Sequence, residues 1–599
     1  MSGNNDSLTK EKEILKRVEN GSIGQRAAAY SKLSGPGWLQ SAITLGGGSL
    51  GSSLYLGVIG GIGLLWLQPF AMILGIIMLS AISYVTLSTG KRPFHAINEH
   101  INPVLGWSWA LASLMANMVW CLPQYGLANG VIQNNIAPEI GGDFGTWLAG
   151  SGGKWAICII ILILTTLVTW SYGSGHKGIR LYEIMLKVMV AAIVVCFVGV
   201  VIKVLSAGGK FSFGQIFGAL VPDLKLLSQP AADLKAIVDQ LPEAARDYWT
   251  STIVSKQRDV MISAAATAVG INMTFLLPYS LLQRKWGKEH RGLATFDLST
   301  GMFIPYVLAT SCVVIASANQ FFLQPQPGLF ADQNATSLIA DQNATGVKSD
   351  ENATAKSLVV SGKAKGDFDK LIKARLAKIP DSDAQKVNTN GRMITVKGEP
   401  MTNGERKLAA MLANRDVQDF AKTLAPLTDK KLANMIFSFG VLGMALSTIT
   451  LLMLISGFVI CEIFKWETTG WRFKLSCLAA VTGILGPFLW SKAAAYLVVP
   501  TSVFGMALLP LAYISFFLLM NNKAFLGDAM PKGGKRVAWN CLMGFATAIA
   551  TLASLFVIDQ KAGPKGFIGL GLLLLAALAA HGWRKLNQRL DRIEDKLDH

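Results

Sequence analysis

Apolar runs of about twenty residues recur along the whole chain, each closed by glycine, proline or a cluster of charge. Runs long enough to cross roughly 30 Å of hydrocarbon cover 36–60, 62–88, 104–133, 154–172, 180–206, 259–283, 296–320, 432–463, 473–492, 499–521, 537–558 and 566–583. The pattern predicts an all-α integral membrane protein of about twelve spans. Two polar stretches interrupt it. Residues 207–258 include LPEAARDYW and are expected to form short amphipathic helices. Residues 321–431 are longer and charge-rich, and carry the repeat DQNAT, DQNAT, DENAT with its sequons at Asn334, Asn343 and Asn352. A solvated linker followed by a small helical cap around 367–425 is the expectation there. The chain thus divides into a segment 1–34, spans 1–7 over 35–320 with the loop 207–258, the insertion 321–431, spans 8–12 over 432–583, and a tail 584–599.

Composition agrees. The 599 residues are 51 % apolar and 15 % charged, against about 25 % charge in soluble domains, and mean hydropathy is +0.42. The net charge of +18 would suggest nucleic acid in a soluble chain, but its placement argues against that partner. Lys91 and Arg92, Lys177 and Arg180, RKWGKEHR (284–291), Arg472 and Lys474, KGGKR (532–536) and the tail all fall on one side of the alternating topology. By the positive-inside rule that side is cytoplasmic, which puts both termini inside and 321–431 outside. The first 30 residues lack the apolar core of a cleavable signal peptide. Seven cysteines fall in or beside the spans without metal or disulfide spacing, and read as packing residues. No nucleophile–base pair or cofactor motif stands out, so neither an enzyme nor a cofactor is expected.

One apolar run is interrupted oddly. TLGGGSLGSS (44–53) sets three consecutive glycines inside the first span. Irregular backbone at membrane depth survives only where it is buried in protein or lines a cavity.

Taken with its flanks, GPGWLQSAITLGGGS (35–49) resembles the first helix of Nramp-type divalent-metal transporters, where GPG precedes Asp-Pro-Gly-Asn. RLYEIMLKVMVAAIVVCF (180–197) resembles their fifth helix, STIT (447–450) their eighth, and AAATAVGINMTFLLPYSLLQRK (264–285) their sixth, which carries Met-Pro-His. The resemblance implies a LeuT-type fold: two inverted five-helix repeats, with helices 1 and 6 broken at the membrane midplane. It also marks a divergent member. By residue count the family's Asp, Pro, Gly and Asn fall on Gly46, Gly47, Gly48 and Ser49, and its Met, Pro and His on Asn272, Met273 and Thr274. Acidic positions of the third helix fall on Gln124 and Asn117, and a glutamine of the tenth on Leu508.

These departures remove the carboxylate that a divalent ion wants and the thioether that favours softer metals. Glu183 and Glu462 lie near span ends, where an interfacial carboxylate is expected. The six histidines lie in loops, at span ends or in the tail, leaving no evident proton relay. What remains at the breaks is hydroxyls, amides and aromatic rings: Thr44, Gly46, Gly48, Ser49 and Ser52; Asn117, Trp120, Gln124 and Tyr125; Asn272 and Thr274. Gln40, Ser41, Ser53, Tyr55, Asn129 and Tyr279 stand nearby. Such groups both donate and accept hydrogen bonds. The sequence therefore favours a secondary transporter moving a neutral polar solute, such as glucose, by alternating access without proton coupling. A divalent-cation transporter handling hydrated Mg²⁺ or Mn²⁺ is the first alternative, and a non-transporting receptor with 321–431 as its partner-binding module is the second.

Overall fold

The computed structural model describes residues 2–33, 35–172, 210–326, 362–378, 385–389, 392–396, 402–415, 430–489 and 497–597, with Leu329 and isolated positions between 184 and 206. Two helices, α1 (Ser2–Val18) and α2 (Ile23–Leu33), precede the first span and define the N-terminal face. The first span is broken into α3 (Pro36–Thr44) and α4 (Gly47–Gly60), bent by 50°. Next come α5 (Leu67–Thr89), the short α6 (Pro93–His100), α7 (Pro103–Val131) and α8 (Ser151–Tyr172). The sixth span is also broken, into α9 (Glu243–Ala268) and α10 (Ile271–Gln283), and α11 (Arg291–Leu298) with α12 (Ile304–Phe321) makes the seventh.

The insertion contributes α13 (Gly362–Leu376), a two-stranded antiparallel hairpin of β1 (Gln385–Thr389) and β2 (Arg392–Val396), and α14 (Asn403–Leu412). The cap expected at 367–425 is therefore not wholly helical. The eighth span is α15 (Lys430–Ile463), α16 (Gly470–Cys477) begins the ninth, α17 (Val498–Met520) is the tenth, and α18 (Gly533–Leu597) runs on for 65 residues.

Nine described helices are long and apolar enough to cross a membrane, ten with the broken pair. Non-helical Gly563, followed by Pro564, kinks α18 between the predicted spans 537–558 and 566–583, so eleven of the twelve predicted spans lie on described helices. The span 180–206 with Glu183, and the three sequons, lie outside the described residues. Within 207–258 the short helices Phe213–Gly218 and Ala232–Asp239 form as expected, but the last stretch does not. LPEAARDYW opens α9, which continues unbroken into the membrane span, because no glycine or proline intervenes between Glu243 and Ala268.

Each break has a local cause. Pro36 starts α3 at a position where a missing N–H costs nothing. At Leu45–Gly46 the chain leaves helical geometry, and Gly46 adopts extended φ/ψ before α4 resumes. In the sixth span Val269 and Gly270 are extended, and the Met273 N–H is shared between Gly270 O at 3.0 Å and Asn272 Oδ1 at 2.9 Å. Around the breaks α7 packs along α15, and α4 packs along α9 and α12.

The insertion is tied to the membrane helices on the face opposite α1 and α2. Glu405 accepts from Arg375 Nε at 2.8 Å and from Trp249 Nε1 at 3.0 Å, joining α14, α13 and α9. Lys256 reaches Leu412 O at 3.0 Å, and Tyr55 donates to Arg415 O at 2.8 Å. Burial alone would push the Glu405 carboxyl up. The hydrogen bonds from Arg375, Trp249 and the Thr402 backbone outweigh it and hold the group below its ordinary range.

Candidate functional site

The broken spans bring their interrupted ends together. Thr44, last residue of α3, points its hydroxyl 3.4 Å from the Ala268 carbonyl that ends α9 and 3.5 Å from Met273 Sδ at the start of α10. The same hydroxyl thus meets a carbonyl left over by a helix C-terminus and a thioether. Both half-helices α3 and α9 turn their C-terminal, carbonyl-rich ends to this point, an arrangement that favours a cation. The finding corrects the sequence expectation that a thioether is missing. Residue count put the family's methionine on Asn272, but one position further on Met273 supplies sulfur to the break.

Beside it lies a cavity of about 20 Å³ lined by Gly48, Ser49, Trp120, Gln124, Thr267 and Thr448, among others. A second, of about 10 Å³, is lined by Gly46 and Ser49 together with residues of α12 and α15. Each is on the scale of one water molecule. Among the described residues Gln124 Oε1, buried there, has no hydrogen-bond partner, and it packs against Gly47, where a Cβ would stand 2.7 Å from it. Trp120 is held by its indole N–H, which donates to Thr501 O at 2.8 Å. Gly46 is required by close approach: an ideal Cβ would stand 2.0 Å from Thr448 Oγ1.

Of the residues expected at the site, Thr44, Gly46, Gly48, Ser49, Trp120 and Gln124 converge, with Asn272 beside them in the first turn of α10. Ser49 donates to the Thr44 carbonyl. The others are placed elsewhere. Ser52 donates to Gly48 O at 2.6 Å and sits by Ser263 and Thr267, binding α4 to α9. Asn117 donates to Ser456 on α15 at 3.3 Å. Tyr125 faces Thr165 on α8, and Thr274 accepts the Trp109 indole N–H at 2.9 Å. Tyr55 reaches the insertion and Asn129 reaches Lys154 O. Met273, Thr448 and Thr267 were not singled out from sequence. A methionine one residue from the expected slot was the available signal for the first.

Glu462 also departs from expectation. It is fully buried within the protein, with Arg92 Nη1 and His95 Nε2 each 3.2 Å from its carboxylate oxygens, so its carboxylate is not solvated. Among the described residues no three His, Cys, Asp or Glu side chains cluster to hold a metal.

A family model for natural resistance-associated macrophage protein-like (Nramp) chains matches residues 37–342 and 390–558. The chain belongs to the Nramp family. It is an integral membrane protein with the LeuT-type transporter fold, and the matched segments leave out the N-terminal segment, part of the insertion, and everything after residue 558, including the last predicted span. Among solved structures, the manganese transporter of Eremococcus coleocola, crystallised with an aromatic bis-isothiourea compound, is similar at 13 % identity over 95 % of this chain and 96 % of that one, with a TM-score of 0.56. A point variant of the same transporter gives 13 % identity, the same coverage and a TM-score of 0.57. At that identity the likeness speaks for the fold alone. No curated protein matches by sequence.

Proposed function

We propose that this Nramp chain is a transporter that carries a divalent metal cation by alternating access, using sulfur and uncharged oxygen donors in place of a carboxylate. The observation that carries the reading is the meeting of Met273 Sδ, the Thr44 hydroxyl and the Ala268 carbonyl at the crossing of the two breaks. The unpartnered Gln124 Oε1 offers a further neutral oxygen. Thioether and carbonyl donors together suit an ion of intermediate softness, such as Mn²⁺. With no anionic donor at the breaks among the described residues, the cation is held weakly by these neutral donors. The family supports the same substrate class. In this orientation the N-terminal face is cytoplasmic, as the positive-inside charge pattern indicates.

The neutral-solute reading stands second. One observation favours it: no carboxylate stands at the breaks among the described residues. Cavity size weighs against it, since spaces of about 10 and 20 Å³ are far below the roughly 300–1,000 Å³ of ordinary small-molecule pockets. The test is manganese uptake into proteoliposomes by the wild type and by Met273→Ala. We expect saturable uptake, cut at least tenfold by the substitution. Uptake that ignores Met273 overturns the assignment of the donor set.

A further inference from the structure

Among the described residues three carboxylates are buried: Glu405 in the insertion, and Asp297 and Glu462 in the membrane domain. The membrane pair takes no part in the site above, and an ionisable group buried in a membrane domain is costly enough to call for a role. Each lies where one of the two half-helices on the N-terminal face is held. Asp297, on α11, accepts the backbone N–H groups of Gly35 at 3.2 Å and Gly37 at 2.6 Å through Oδ2, so a residue of the seventh span caps the start of α3. A carboxylate there meets the positive end of the half-helix and satisfies N–H groups that have no partner within it. The fit is close, since a Cβ on Gly37 would stand 2.3 Å from the Asp297 carbonyl. The Arg284 guanidinium, just beyond α10, fills the space a side chain on Gly35 would need.

Glu462 sits at the same face on α15. Arg92 and His95 approach it from α6 and its leading turn, and the hydroxyl of Tyr279, near the end of α10, faces it. Tyr279 also stacks on Phe458, one turn earlier on α15, with ring centroids 5.9 Å apart. The half-helices α3 and α10 pack on each other, so the two carboxylates grip one moving unit from two sides.

We propose that Asp297 and Glu462 are positioning residues for transport, two carboxylate latches that hold α3 and α10 closed over the site on the N-terminal face. Their release opens the site to that side. The inference rests on alternating access and is independent of the solute carried. In the closed state the latches act through charge-assisted hydrogen bonds, and opening must supply other partners to the Gly35 and Gly37 amides.

Hydrogen–deuterium exchange of the full chain in lipid nanodiscs tests this without any substrate, so a failed metal assay leaves it untouched. For Asp297→Ala, peptides within 36–44 should exchange at least tenfold faster than in the wild type. Asp297→Asn keeps one acceptor oxygen and should lie between, at about threefold, and it carries the test alone if the alanine variant does not fold. Glu462→Gln should accelerate 271–283 in the same way. Peptides of 243–258 and 402–412, on the insertion face, should exchange at the wild-type rate or slower, because opening one face of an alternating-access protein closes the other. Unchanged exchange at 36–44, or equal acceleration on both faces, overturns the proposal, the latter by showing mere loosening.

Discussion

Replacing Gly46 by alanine is the most exposed consequence of the site geometry. The added Cβ would stand 2.0 Å from Thr448 Oγ1, 3.0 Å from Ile43 O and 3.2 Å from Thr448 Cβ. Two of these contacts are with one side chain. Thr448 is buried and its hydroxyl donates to Met444 O at 2.9 Å within its own helix, so it cannot turn away without giving up that bond. Overpacking of a filled interior costs about 1–3 kcal/mol, and the contact distance puts Gly46→Ala at the upper end. Thr448→Ala alone removes a back-bonded hydroxyl from an already helical backbone and should cost about 1 kcal/mol. Together the two changes should be milder than their sum, with a coupling of about 1–3 kcal/mol. The assay is thermal unfolding of purified protein at one fixed scan rate, because membrane proteins commonly unfold irreversibly. A Gly46→Ala protein as stable as the wild type, or one that Thr448→Ala fails to rescue, refutes the packing argument. The same geometry explains why restoring a carboxylate is not a single step. Gly46→Asp should be poorly folded, whereas Gly46→Asp with Thr448→Ala should bind Mn²⁺ at least tenfold more tightly than the wild type in isothermal titration.

Three further outcomes follow from particular contacts. Arg375→Ala leaves the Glu405 carboxylate buried without its ion pair, a change worth about 3–5 kcal/mol in such settings, and limited proteolysis should then cut 402–415 in preference to the membrane helices. Because folding lowers the Glu405 carboxyl below its ordinary value, its contribution is complete above about pH 4.3, the unfolded value, and drains away as pH falls through the lower folded value. Undocking of the insertion, followed by exchange at 402–412, should therefore appear only below that pH, and the Arg375→Ala protein should have lost the dependence. Met273→Leu preserves volume but not sulfur, so proteoliposome uptake should shift its preference from Mn²⁺ toward Mg²⁺ by about tenfold; equal loss of both ions would point to packing alone.

The fold was largely legible because it rests on signals that sequence carries directly. Apolar length marked the spans and Gly46–Gly48 marked the first break, while the break of the sixth span was expected from the family resemblance alone. The site was legible only in part. Thr44, Ser49, Trp120 and Gln124 converge as the spacing suggested, since they lie on or beside a break. Ser52, Asn117, Tyr125 and Thr274 did not, because a polar residue one helical turn away can equally face a neighbouring helix, and each of these does. Met273 was hidden by a one-residue offset that counting along a single chain cannot correct. Glu462 looked like an end-of-span residue and Asp297 was not singled out, and their burial depends on Arg92, His95 and the Gly35–Gly37 backbone, partners remote in sequence. The neutral-solute expectation came from tallying side-chain types, which leaves out the Ala268 carbonyl and the closeness of packing around the breaks.

Met273 sulfur and its neutral oxygen neighbours carry a divalent cation in the reading proposed above. Proteoliposomes holding a pH-sensitive dye, given Mn²⁺ in one arm and D-glucose in the other, test it in one preparation. The account predicts saturable Mn²⁺ entry with no change of internal pH and no glucose entry beyond protein-free liposomes. Glucose entry in the absence of Mn²⁺ flux would contradict it.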